Sequence, residues 1–497
     1  TYSTQQASAQ ETYDRTNTIA AGGNFNVSGN VFGLRIGADN TTLNINDSVV
    51  LSGPGYNEIY PCSSAVVFGD LTYDSNDELN ALYNAIVVFS GDRELVISNT
   101  SGGNGENSVV YGIVGNSLTF GTVLNPNVGA NVSFTASATV PVSAGNTTTE
   151  AAAIRNMPTA GSSDPGIRFL GDLSATFTVS AISGGIENAA FLPQFKNADA
   201  SAHGIFSEAG GGVSIGGSFN GSFDIVAKSG LISSNIQNNN NHSSAYAAAF
   251  SLANDFGKSS DLNIGANLGG RIHVLAETGI QNVYENANGG SAAYGIRCRN
   301  LQVGGDFSSV FQVQSRIGDV TASRATSGRG FTSAARGTVC RTLMIAGNLN
   351  VQGSVSAAGN NVIAGPSSAV AEAIGLDITT FDLRGNDTSS LSVSANSASL
   401  SSESYGNYDV SASSVTFSSF NQYKVGGNSS GTLSSIAVSG NLSVSVNNSS
   451  YSANATATAY AVVNNNGLSD FQGVYEKDLI AEARAGMISV NSGTSVA

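Results

Sequence analysis

Apolar and polar positions alternate along most of this chain. "TLNINDSVVLS" (Thr42–Ser52), "VSFTASATVPV" (Val132–Val142) and "LSVSVNNSSYSANATATAYAVV" (Leu442–Val463) carry apolar or small side chains at alternate positions. A period of two sends successive side chains to opposite faces of an extended backbone, so these runs predict β-strands. Helical spacing is nearly absent, and the chain reads as all-β.

The strands belong to a repeat. "SAAYGIRCRNLQVGGDFSSVFQVQS" (Ser291–Ser315) aligns without a gap on "SAARGTVCRTLMIAGNLNVQGSVSA" (Ser333–Ala357) at an offset of 42 residues. Cys298 then matches Cys340, Gly295 matches Gly337 and Gly305 matches Gly347. Downstream, "AIGLDITTFDLRGNDTSSLSVSA" (Ala373–Ala395) continues the series, with Gly375 for Gly337 and Gly385 for Gly347. Upstream, "SAHGIFSEAGGGVSIGGSFNGSFDIVAKSG" (Ser201–Gly230) is another copy, in which His203 takes the place of Tyr294. Fainter copies extend from Ile19 to Val446. Variation in length falls in Gly-, Ser- and Asn-rich connections.

Degenerate units of about 38 to 48 residues whose strands cannot bury an apolar face alone predict a solenoid, here a parallel β-helix. Equivalent residues then lie over one another at about 4.8 Å. Gly295, Gly337 and Gly375, Gly305, Gly347 and Gly385, and Cys298 with Cys340 are the expected ladder residues. Ala292 over Ala334 reads as an inward-facing small pair, and Gly304–Gly305 as a bend or bulge between faces. A 42-residue unit can be one rung with a long excursion or two rungs. Cysteines one rung apart could form a disulfide and those two rungs apart could not. The reading adopted is two rungs, with Cys298 and Cys340 as free buried thiols. The expected organisation is a polar arm or cap over 1–18, a solenoid over 19–473, and a cap, linker or joining segment over 474–497.

Composition narrows the function classes. Charged residues are 11% of the chain, against about 25% in ordinary globular proteins, so small neutral polar groups must cover the surface. A formal charge of −15 argues against a nucleic-acid partner. No apolar run is long enough for a transmembrane helix. The N-terminal stretch resembles no signal peptide, and export would require one already removed. Three cysteines exclude a small disulfide-stapled scaffold.

Candidate chemistry is sparse. Asp255, Asp261, Asp306 and Asp319, with Arg297, Arg299 and Arg341, are the acids and bases that a β-helix lyase or hydrolase could use, but they form no dense cluster and read as corner charges. His203, His242 and His273 sit in different repeats without metal-ligand spacing. Tyr111, Tyr246, Tyr294 and Tyr460 recur at what reads as one repeat position, and pack in or beside a ladder. "DSND" (Asp74–Asp77) could offer oxygens to calcium and reads first as a polar turn. "GGGVSIGG" (Gly210–Gly217) lacks the Lys-Ser/Thr ending of a phosphate loop. Apart from calcium, no cofactor is implied.

The "AYGI", "IGGxFxG" and "VxAxSG" elements resemble those of secreted parallel β-helix surface proteins, above all the repetitive passenger domains of bacterial autotransporters. That resemblance implies an extracellular or cell-surface location and supplies no catalytic motif. The expectation is a non-catalytic structural solenoid: a surface layer, adhesin shaft or filament subunit acting through self-association or other surface proteins. The alternatives are a β-helix polysaccharide lyase or glycoside hydrolase, and a binder of glycans or receptors.

Overall fold

A computed structural model of the chain describes residues 17–492 except 20–22, 28–29, 46–49, 53–61, 74–78, 90–94, 103–106, 140–146, 158–165, 188–196, 208–211, 236–241, 253–260, 285–287, 323–330, 365–367, 404–405, 418–422, 447–452 and 465–468. The described residues contain no helix. They form a parallel β-helix with three long parallel sheets of 22, 12 and 8 strands. The 12-stranded sheet takes one strand from every rung, so the described chain makes twelve rungs. A short antiparallel pairing of Gly69–Tyr73 with Leu79–Leu82 is the exception to the parallel pattern.

Each repeat is one rung. Cys298 lies opposite Cys340 on adjacent strands, Asn288–Val303 and Phe331–Ile345. The next strand, Ala369–Leu383, continues the register with Leu383 opposite Ile345. This corrects the expectation of two rungs per unit: a rung here must supply strands to three sheets and their connections, which consumes the whole repeat. The pairing also runs through Asp478–Arg484 and Ile488–Ser492.

The glycines explain how the cross-section closes. Ala153, Gly204, Ala249, Gly295, Gly337 and Gly375 occupy one column of the largest sheet. A Cβ at Gly295 would stand 2.2 Å from Val313 Cγ1, and one at Gly337 would stand 2.5 Å from Val355 Cγ1. Here the large sheet presses on the 12-stranded sheet and pinches the interior into two compartments. One is lined by large residues such as Phe120, Phe177 and Phe250. The other is dominated by small ones such as Ala247, Ala293 and Ala335. The inward pair is therefore Ala293 over Ala335, whereas Ala292 and Ala334 face outward in the column of Tyr246 and Glu372, contrary to the sequence reading.

In the first compartment, rings stack from rung to rung. Phe120 lies 4.8 Å from Phe169 and Phe134 lies 5.8 Å from Phe177, centroid to centroid, each pair nearly parallel. Such pairs contribute about 0.5–1.5 kcal/mol each beyond the apolar area they bury. Like-on-like stacking is thus both the sequence signature and a source of cohesion.

Candidate functional site

The corner between the large and 12-stranded sheets is built by glycine and by Asn or Asp together. Asn267 Oδ1 accepts the backbone N–H of Asp306 at 2.8 Å, and Asp306 Oδ1 accepts that of Asn348 at 2.7 Å. Asn348 Oδ1 accepts from Asn386 at 2.9 Å, Asn386 from Asn428 at 2.8 Å, and Asn428 from Val474 at 3.0 Å. Each side chain thereby satisfies a corner N–H on the following rung that no strand would pair. The glycine beside each rung of this ladder makes room for it. A Cβ at Gly305 would lie 2.2 Å from Asn267 Oδ1, one at Gly347 2.3 Å from Asp306 Oδ1, and one at Gly385 2.7 Å from Asn348 Oδ1. Gly304 and Gly305 are not among the glycines with left-handed backbone, so close approach rather than a bulge conformation explains them.

The structure disperses the other candidate acids and bases. Asp306 is a ladder acceptor, and Asp319 Oδ1 accepts the N–H of Asn361 at a second corner, at 3.1 Å. Asp261 Oδ1 accepts from Asn300 Nδ2 at 2.9 Å. Arg299 and Arg341 are exposed. Asp255, the Asp74–Asp77 stretch and the side chain of His242 lie outside the described residues. Among the described residues no three His, Cys, Asp or Glu side chains come together as a metal site.

Arg297 and His203 belong instead to a band on the outer face of the large sheet, which the sequence reading did not assemble. The Arg155 guanidinium bonds Glu150 and the Tyr111 hydroxyl, and lies 4.6 Å from the Phe206 ring centre. Phe206 stacks on His203 at 4.2 Å, and His203 meets Tyr246 at 5.2 Å. Tyr246 packs on Tyr294 at 5.6 Å, and Arg297 lies 4.8 Å over Tyr294. Arg336, 5.8 Å from the Tyr294 ring, ends the band in a 2.6 Å ion pair with Glu372. Cation–aromatic contacts of this kind contribute about 0.5–2 kcal/mol each. Burial first, then the charges of Arg155 and Arg297, lower the His203 pKa to about 3, so the imidazole is neutral at physiological pH. Burial likewise raises the Tyr246 hydroxyl above its ordinary value.

Tyr111, Tyr294 and Tyr460 share one column, as the repeat implied. Tyr246 does not: it pairs with Ala292 and stands two residues to the side. Tyr460 is half exposed while Tyr111 is fully buried, so the column is no continuous exposed platform.

Two concavities bear on function. A groove of about 460 Å³ crosses the outer face, with Ser214, Asn263, Gln302, Met344 and Asp382 in a single column on its floor and Arg384 at one side. Among the described residues Asp382 is the one carboxylate lining it, and these residues do not supply the carboxylate pair of a glycoside hydrolase. The second concavity lies in the large-residue compartment of the last rungs and reaches the half-exposed Tyr475. At its end, Lys477 Nζ pairs with Asp387 Oδ2 at 2.7 Å and donates to Ser389 Oγ at 2.9 Å, with both charged side chains nearly fully buried.

Comparisons of the chain with protein-family models, with curated proteins and with solved structures gave no match.

Proposed function

We propose that this protein is a non-catalytic, extracellular structural solenoid that works as a rigid spine and associates with copies of itself. The observation that carries the reading is the continuity of the stack: twelve rungs in which conspicuous side chains serve the next rung rather than converging on a reacting centre. The resemblance of the repeat elements to autotransporter passenger domains supports a cell-surface setting.

Self-association is supported by the twelfth rung. Leu479 continues the interior column of Leu391 and Leu433, yet it is 52% exposed, and Ile480, Met487 and Ile488 are exposed beside it. Among the described residues, the far edge of Asp478–Arg484 has no paired strand. The chemistry that covers such an edge is another rung of parallel strands with apolar residues at alternate positions, and a second copy of this chain carries such rungs.

Negative-stain microscopy and sedimentation of the purified chain test the reading. The expected result is concentration-dependent end-to-end assembly that Leu479→Asp abolishes. Isolated rods at every concentration would overturn it, as would polysaccharide cleavage by the purified chain.

A further inference from the structure

We propose that the interior of the C-terminal rungs is a binding site for a small, neutral, mainly apolar molecule carrying one hydroxyl group, of the size and chemistry of phenol. The inference is independent of self-association and begins with the side chains that fill the large-residue compartment.

Two interior columns lose volume at the same rung. One runs Phe177, Phe223, Ile272, Phe311, Gly353, Leu391. The other runs Ile205, Phe250, Ile296, Thr338, Leu376. This rung has Gly353 and Thr338 where earlier rungs place aromatic and branched aliphatic side chains, and Thr338 lines the space beside them. A cavity of about 130 Å³ results, lined among others by Phe311, Thr338, Leu349, Val351 and Leu391. Apolar cavities of roughly 150 Å³ stay dry and admit benzene, which fixes the scale of the ligand.

The polar groups in the wall specify the rest. Thr338 is 4% exposed and its Oγ1 has no hydrogen-bond partner. Leaving a buried hydroxyl unsatisfied is unfavourable, and a ligand hydroxyl reaching it would recover part of that loss. The charged groups at the end of the cavity are already matched. Asp387 takes the Lys477 ammonium and the Ser389 N–H and Oγ, so no net charge calls for an ionic ligand. An apolar ring with a single hydroxyl satisfies both the wall and the orphan; a carboxylate or an amine would enter with an unpaired charge.

The test is calorimetric titration of the whole chain with phenol and with benzene, alongside Leu349→Phe and Thr338→Val. Leu349 follows Phe307 in its own column, so Phe is a side chain this interior already accommodates one rung away. The expected result is saturable binding of both probes and loss of both in Leu349→Phe. Thr338→Val should weaken phenol by about three- to tenfold while leaving benzene unchanged, the fold-change of one net hydrogen bond. Magnetisation transfer from benzene to the methyls of Leu349, Val351 and Leu391 decides the location should Leu349→Phe fail to fold. Absence of saturable binding, binding that survives in a folded Leu349→Phe chain, transfer to other methyls, or equal phenol affinity in Thr338→Val would each overturn the proposal.

Discussion

The sulfur of Cys298 lies 3.6 Å from that of Cys340, its counterpart on the next rung, and both thiols are free and buried. The hydrogen bond between them, and then burial, holds the Cys298 thiol well above its ordinary pKa. Since the thiolate is the reactive species, the Cys298 thiol should be inert to alkylation in the native chain, and burial shields Cys340 from the reagent. Mass spectrometry after a pulse of N-ethylmaleimide should find Cys298 and Cys340 unmodified under native conditions and fully modified in denaturant. Rapid native labelling of either would contradict the packing.

The waist of the cross-section should tolerate no added atom. Gly337→Ala sets a Cβ 2.4 Å from Gly375 O as well as against Val355, so the two sheets must part. The expected destabilisation is about 1–3 kcal/mol, the usual cost of overpacking, read as a lower denaturation midpoint. Gly337→Val should be worse than Gly337→Ala.

The corner ladder makes a separate prediction. Asn348 accepts from Asn386 N–H and donates to Asp306 Oδ1 at 3.1 Å. Asn348→Ala removes the partner of the exposed Asn386 N–H, which water can replace only in part, and should cost about 0.5–1.5 kcal/mol. Asn348→Asp keeps the acceptor toward Asn386 but brings a carboxylate against that of Asp306. It should therefore recover stability only as salt rises, which denaturation at low and high ionic strength will measure.

His203 should make the fold sensitive to acid. Its folded-state pKa of about 3 lies below the ordinary 6.5, so the unfolded chain takes up a proton before the folded one does. Its contribution is complete above about pH 6.5 and falls as the pH drops from there toward 3, by at most about 1.4 kcal/mol per pH unit. His203→Phe keeps the stacking between Phe206 and Tyr246 and removes the titration. The difference in stability between the two chains should vary with pH in that window and be flat above it.

The order of the strands and the register of the copies were legible in the sequence because like residues recur where rungs stack. Cys298 over Cys340 and Leu383 over Ile345 follow from a gapless alignment. The number of rungs per repeat was not, since an alignment reports equivalence and carries no axial distance. The Asn and Asp ladder had a visible signal: a glycine directly before Asp306, Asn348, Asn386 and Asn428 in successive repeats. Its meaning depends on corner geometry that strand periodicity does not describe. The Arg–Tyr–His band was hidden for another reason. Tyr246 and Tyr294 meet from adjacent columns, and connections of unequal length mask a two-residue offset between repeats.

One rung per repeat in a single continuous stack is the claim on which the rest stands, and a distance between two spin labels tests it. Thr178 and Ile480 are exposed and lie in the same outward column of the 12-stranded sheet, seven rungs apart through Asp224, His273, Gln312, Ser354, Ser392 and Ser434. With the native cysteines replaced by serine and labels at Thr178→Cys and Ile480→Cys, pulsed electron resonance should give a narrow distribution near about 34 Å, seven steps of about 4.8 Å. A distribution near twice that value, or a broad one, would contradict it.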